Sequence, residues 1–137
     1  MIPASKTRAI IPAALILVAA LFLITPMFIH GVPSGNDLPQ HFQFALTYRS
    51  SFADTNHGYG DVGVRFYPPL AYYVLNALRT ISGNWYDATI LSIGFWFFLG
   101  GIGVYILARE WFESTPSAAA SITYLLLPYH VNQIYNA

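Results

Sequence analysis

The sequence predicts an all-α membrane protein. Its 137 residues are 55% hydrophobic and only 9% charged, whereas about a quarter of the residues in soluble domains are charged. Two uncharged runs, residues 9–29 and 88–108, are each long enough to cross a hydrocarbon core of about 30 Å as a helix. Because cysteine is absent, disulfides, thiolate nucleophiles and cysteine-bound metals are excluded. The six basic and six acidic residues balance, so nucleic acid is not expected as a partner.

The first predicted span is residues 9–29, and two basic residues, Lys6 and Arg8, precede it. These residues resemble the start of a signal peptide, but the apolar run is long and no Ala-x-Ala-like cleavage site follows it. A signal anchor is therefore favoured over a cleaved signal. Pro12 and Pro26 lie near the two ends of the run, where a missing amide proton does least damage to a helix.

Residues 30–87 form a long loop for which two short helices are predicted. The first, near 37–52, has Asp37 as an N-cap candidate. The second, near 69–81, begins after a proline pair that cannot continue a helix from upstream. Its apolar run is too short to cross the membrane, so an interfacial or buried helix is expected.

The second span, residues 88–108, is rich in glycine, which indicates close packing with another helix of the same chain. Residues 117–137 are also uncharged and are predicted to form a third span, although Pro128 interrupts it. Basic residues gather on the cytoplasmic side of membrane proteins. Because Lys6, Arg8 and Arg109 flank the spans, we expect a cytoplasmic N-terminus and an external loop in the plasma or inner membrane.

Two groups of loop residues are candidates for chemistry. Asp37 and His41 are four residues apart, which places a carboxylate and an imidazole on one face of a helix, as a divalent-cation pair requires. His57, Asp61 and Arg65 combine proton-transfer or metal-binding groups with a guanidinium for a phosphate. The spacing alone favours structural roles: a helix cap, an interfacial histidine and a solvated loop.

Outside the loop, His130 is the other histidine that the sequence singles out. A hydrogen-bonded position at a helix end is favoured for it, because lone histidines seldom prove catalytic without partners. The sequence contains no Ser-His-Asp order and no Gly-x-Ser-x-Gly, His-Glu-x-x-His or Walker pattern. No standard hydrolase, zinc-protease or nucleotide-binding motif is therefore present.

A family resemblance arises from the order of several motifs along the chain. They are TPMFIHGVPSGNDLPQHFQFA after the first span, GYGDVGVRFYPPLAYYVLNAL in the loop, GGIGVYILAREWF at the end of the second span, and LLLPYHVNQIY. Together they resemble the 6-pyruvoyl-tetrahydropterin synthase-related membrane domain. The resemblance implies a multipass membrane protein and no particular pterin reaction.

That family is in turn similar to the GT-C class of membrane glycosyltransferases, which implies a GT-C-like helical bundle and a polyprenyl-phosphate-linked sugar as donor. The resemblance makes Asp37 the catalytic base or the ligand of a divalent cation, Mg²⁺ or Mn²⁺. His41 or His57 would assist it, and Arg65 would contact the donor phosphate. The remaining substrate-binding residues implied are Tyr67, Pro68 and Pro69, in a helix that shapes the lipid-phosphate groove.

GT-C enzymes have many more spans than the three predicted here. The chain is therefore expected to be an N-terminal fragment, inactive alone, whose partners include the remaining transmembrane helices of a longer protein. The alternative is a non-catalytic membrane scaffold or a flippase-like component. Transporters tend to carry ionisable groups within their spans, and the first two spans here have none, which counts against transport.

Overall fold

The computed structural model describes residues 4–32, 45–46 and 69–135, and every element in that part of the chain is an α-helix. The helices are α1 (Ala4–His30), α2 (Pro69–Ser82), α3 (Trp85–Ala108), α4 (Ser114–Leu125) and α5 (Pro128–Tyr135). The all-α prediction is thereby confirmed for the described residues. Of the predicted 37–52 helix, only Ala45 and Leu46 are described, and both are helical.

Two of these helices are long and apolar enough to cross a membrane, Ile10–His30 and Trp85–Ala108. They contain the two uncharged runs of the sequence. α1 ends where the Gly31 amide donates to the Met27 carbonyl at 2.9 Å, and Gly31 has a φ of 99°. Glycine adopts this left-handed conformation without a steric penalty, so Gly31 terminates the helix.

The segment predicted as a third span contains two helices and no single long one. α4 has 12 residues and α5 has 8, and at 1.5 Å per residue neither reaches across a hydrocarbon core. Pro128 begins α5 and has no amide proton, so it cannot donate to the Tyr124 carbonyl and the helical ladder stops there. The third span stays a prediction.

The described chain divides into two compact units. In the first, α1 packs with α4, α5 and the part of α3 from Ile93 onward. Its core contains the buried residues Ile16, Ala20, Leu23 and Leu125. The surface of α1 away from this core exposes large apolar side chains, including Val18 and Phe22, as a surface against lipid acyl chains does.

Glycines of α3 allow α1 to approach closely within this first unit. A Cβ atom built at Gly94 would lie 2.7 Å from Ile24 Cδ1, and one built at Gly101 would lie 2.6 Å from Ile16 Cγ2. The predicted packing role of the glycines is confirmed at these two positions. It fails at Gly103, where such an atom would meet nothing within 4 Å.

The second unit contains the described residues from 34 to 92, and its core is formed by Ala45, Tyr72, Leu75 and Ala88. Between α2 and α3 the chain turns at Gly83, which has a φ of 82°. Asn84 then caps α3, because its Oδ1 accepts the Asp87 amide at 2.8 Å while its Nδ2 donates to Asp87 Oδ2 at 2.7 Å. This cap explains why α3 begins at Trp85, three residues before the predicted span.

Candidate functional site

Most of the residues that the sequence nominates for chemistry lie outside the described residues. They are Asp37, His41, His57, Asp61, Arg65, Tyr67 and Pro68. Pro69 is described as the first residue of α2. The catalytic, metal-binding and phosphate-binding roles of these residues stay predictions, and the described geometry concerns the helices beside them.

α2 is the helix that begins at Pro69, the second residue of the Pro68-Pro69 pair. Its 14 residues extend about 21 Å at 1.5 Å per residue, which is shorter than the hydrocarbon core. Tyr72 and Leu75 are buried in the second unit, whereas Leu70 and Tyr73 are exposed. A short helix with one buried side and exposed apolar and tyrosine side chains suits a membrane interface.

Asn76 joins α2 to the described piece of the preceding loop. Its Nδ2 donates to the carbonyl oxygen of Ala45 at 2.6 Å, and Ala45 itself is fully buried. Ala45 comes four residues after His41 in the chain. This hydrogen bond therefore holds the chain against α2 at Ala45. That position is close in sequence to the predicted Asp37 and His41 pair.

Arg79 and Trp85 form a second local feature, which the sequence analysis missed. The Arg79 guanidinium carbon lies 4.6 Å from the centroid of the Trp85 ring, which is the distance of a cation–π contact. Arg79 Nε is buried and has no hydrogen-bond partner among the described residues. The signal in the sequence was a basic residue in the last turn of one helix, six residues before a tryptophan that starts an apolar helix.

His130 lies in the first turn of α5, against three aromatic rings. Its ring centroid is 4.5 Å from that of Tyr124, 5.6 Å from that of Phe97 and 5.7 Å from that of Tyr129, all in edge-to-face geometry. Its backbone amide donates to the Leu127 carbonyl at 3.0 Å. The sequence analysis expected a hydrogen-bonded histidine at a helix end, and the position is at a helix end, but aromatic packing dominates the contacts of the imidazole.

A metal site cannot be built from the described part of the chain. Among residues 4–32, 45–46 and 69–135, no three His, Asp or Glu side chains lie close enough together to hold an ion. Asp87, the acidic residue nearest to α2 along the chain, is hydrogen-bonded to Asn84. The predicted ligand Asp37 lies outside the described residues.

Comparison with known families supplies the identification. The model of the 6-pyruvoyl-tetrahydropterin synthase related domain, a membrane protein, matches residues 64–136, which is more than half of the chain. The chain belongs to this family. The matched region of this family member contains α2 to α5 and the predicted substrate-binding residues Arg65, Tyr67, Pro68 and Pro69. Asp37, His41 and His57 precede the match. Neither the curated proteins nor the solved structures contain a match.

Family membership and the two apolar helices together identify a membrane-embedded protein. The family is one of membrane proteins, and α1 and α3 each contain more than 20 residues of high hydropathy. The lipid bilayer is therefore the environment of this member of the 6-pyruvoyl-tetrahydropterin synthase related family. Exposed apolar side chains such as those of α1 and α3 suit that environment, because acyl chains carry no polar groups that need partners.

Proposed function

We propose that this membrane domain belongs to a GT-C-like glycosyltransferase whose sugar donor is carried on polyprenyl phosphate. The observation that carries the proposal is the position of α2. It begins directly after the Arg65 to Pro68 segment, inside the family match, and Asn76 binds the chain near His41 to it. The support for the proposal is therefore that α2 follows the predicted phosphate-binding residues in the chain and is hydrogen-bonded to Ala45, four residues after the predicted catalytic His41.

In this proposal Asp37 removes the proton from the acceptor hydroxyl as its oxygen attacks the anomeric carbon of the sugar. The bond from that carbon to the lipid phosphate breaks, and polyprenyl phosphate leaves with the electron pair. In the alternative role, Asp37 would not act as the base but would hold a divalent cation, Mg²⁺ or Mn²⁺, that neutralises the phosphate oxygens. Arg65 would bind the same phosphate through its forked donors, with His41 or His57 assisting Asp37.

The proposed membrane arrangement follows from the charges near the helix ends. Lys6 and Arg8 precede the apolar run of α1, and Arg109 follows α3, so these ends face the cytoplasm under the positive-inside rule. The segment from 30 to 87 then faces the outside of a plasma or inner membrane. Residues 117–137 return through the bilayer as the broken pair α4 and α5.

The test is the Asp37→Asn substitution in the complete protein, assayed by transfer from an intact polyprenyl-linked sugar. Because asparagine cannot act as a base, turnover should fall by about 10²–10⁴-fold. Asp87→Asn is the matched control, since the Asp87 carboxylate is hydrogen-bonded to Asn84 at the start of α3 and should be dispensable for transfer. Full activity of the Asp37 variant on the same donor would disprove the catalytic role.

A non-catalytic scaffold or flippase-like component is the second candidate, and one observation favours it. The family match contains α2 to α5 and begins after Asp37, His41 and His57. A family region that does not include the proposed base is what an assembly component needs. Normal function of the Asp37→Asn and Asp61→Asn variants, together with a cross-link to a partner protein, would favour this candidate.

A further inference from the structure

The break between α4 and α5 leaves backbone oxygens without their helical partners. The Leu127 amide donates to the Tyr124 carbonyl at 3.3 Å, and the His130 amide donates to the Leu127 carbonyl at 3.0 Å. In a continuous helix these two amides would bond to the carbonyls of Thr123 and Leu126. Within the described part of the chain, neither of those two oxygens receives another hydrogen bond.

Contacts with α3 show how deep the break lies along the spanning helix. The ring of His130 lies against Phe97, and Phe97 stands at the middle of the 24-residue α3. Tyr124, just before the break, reaches α3 at Gly100, where a built Cβ atom would lie 3.6 Å from Tyr124 Cε1. The break is therefore level with the middle of α3, about 18 Å from either end at 1.5 Å per residue.

The unpaired backbone carbonyls of the break restrict what can lie next to it at this depth in the membrane. Leu126 is 44% exposed and Leu127 is 42% exposed, so the first unit covers these two residues of the break only in part. Lipid-exposed irregular backbone does not occur within the hydrocarbon, because unpaired carbonyls have no partner there. Such backbone is tolerated only where it is buried in protein or lines a water-filled cavity.

We propose, resting on the proposed return of α4 and α5 through the bilayer, that the α4–α5 break lines a water-filled cavity at the middle of the membrane. Besides the two carbonyls, the segment around the break contains the exposed Thr123 side chain and the partly exposed imidazole of His130. An apolar helix packed here would leave all of these groups without partners, whereas water supplies both donors and acceptors. The cavity is suited to water and to small polar solutes, with His130 as its ionisable residue.

Single-cysteine labelling tests this inference directly, because these 137 residues contain no cysteine. Leu126→Cys and Leu127→Cys are each made in the full chain in native membrane vesicles. A charged, membrane-impermeant maleimide is supplied on both sides. Leu99→Cys is the matched control: Leu99 lies on α3 next to Gly100 and is 42% exposed. Glu113→Cys, in the exposed turn after α3, is the positive control.

The inference predicts that the cysteines at 126 and 127 react at rates approaching that of the Glu113 variant. The Leu99 variant should react roughly tenfold more slowly or not at all, since a thiol in hydrocarbon neither ionises nor meets a charged reagent. Protection of both break positions would overturn the proposal and indicate that protein covers the break. Equally fast labelling at position 99 would overturn it too, because α3 would then not be in lipid.

Discussion

Replacing Gly101 with alanine tests the tightest of the glycine contacts in the described part of the chain. The added Cβ would lie 2.6 Å from Ile16 Cγ2, 3.2 Å from Leu125 Cδ1 and 3.3 Å from Ser121 Oγ, whereas carbon atoms normally meet at about 3.5–4.0 Å. The Ile16 methyl is attached to a branched Cβ close to the backbone, so it cannot rotate away freely. Helix α1 must therefore move outward, and overpacking of this kind costs about 1–3 kcal/mol.

The control for this substitution is Gly103→Ala on the same helix, where the new methyl group meets nothing within 4 Å. Both variants gain the same helix propensity, about 0.5–1 kcal/mol relative to glycine. That gain cancels when the two are compared, so Gly101→Ala should be about 1–3 kcal/mol less stable than Gly103→Ala.

The assay for the pair is reversible unfolding in mixed micelles of a mild detergent and dodecyl sulfate. Unfolding is followed by the fluorescence of the natural tryptophans, of which Trp96 lies in the same helix as Gly101. The detergent fraction at the midpoint should be lowest for Gly101→Ala and highest for Gly103→Ala. Equal midpoints for the two variants, or a higher one for Gly101→Ala, would refute the packing of α1 against α3 at Gly101.

Two hydrogen bonds support further predictions. Ser121→Ala removes the 2.6 Å hydrogen bond from the buried Ser121 hydroxyl to the Gly101 carbonyl. The free energy of unfolding should fall by about 0.5–1.5 kcal/mol in the same micelle titration. The control, Thr123→Ser at an exposed position, should have no effect. Asn76→Ala removes the 2.6 Å hydrogen bond to the Ala45 carbonyl. Limited proteolysis should therefore cut the segment around Ala45 several-fold faster than in the unchanged protein. An unchanged cleavage rate would show that this bond does not hold the segment.

The spanning helices were predictable because hydrophobicity is a local property. The uncharged runs 9–29 and 88–108 identify α1 and α3 from composition alone, and no knowledge of partners is required. The start of α2 is also local, since Pro69 fits the first turn of a helix. These features are determined by residues next to each other in the chain.

Features that depend on contacts between distant residues were not predictable in the same way. Nothing in the spacing of the α3 glycines distinguishes Gly101, which contacts Ile16, from Gly103, which contacts nothing. The cation–π contact of Arg79 with Trp85 depends on the turn at Gly83. The sequence likewise showed that Pro128 interrupts the last apolar segment, but not that the interruption lies beside Phe97.

Polar groups within a bilayer need hydrogen-bond partners, and α4 shows one polar group that has its partner and one that lacks it. In α4, the Ser121 hydroxyl faces α3 and donates to the Gly101 carbonyl, so a polar side chain is paired inside the apolar unit. Four residues later the helix stops, and the carbonyl of Leu126 is left without its helical donor. An unpaired carbonyl of this kind is not tolerated on a lipid-facing surface. Any function of this domain that needs water within the membrane therefore has its most favourable position at the α4–α5 break.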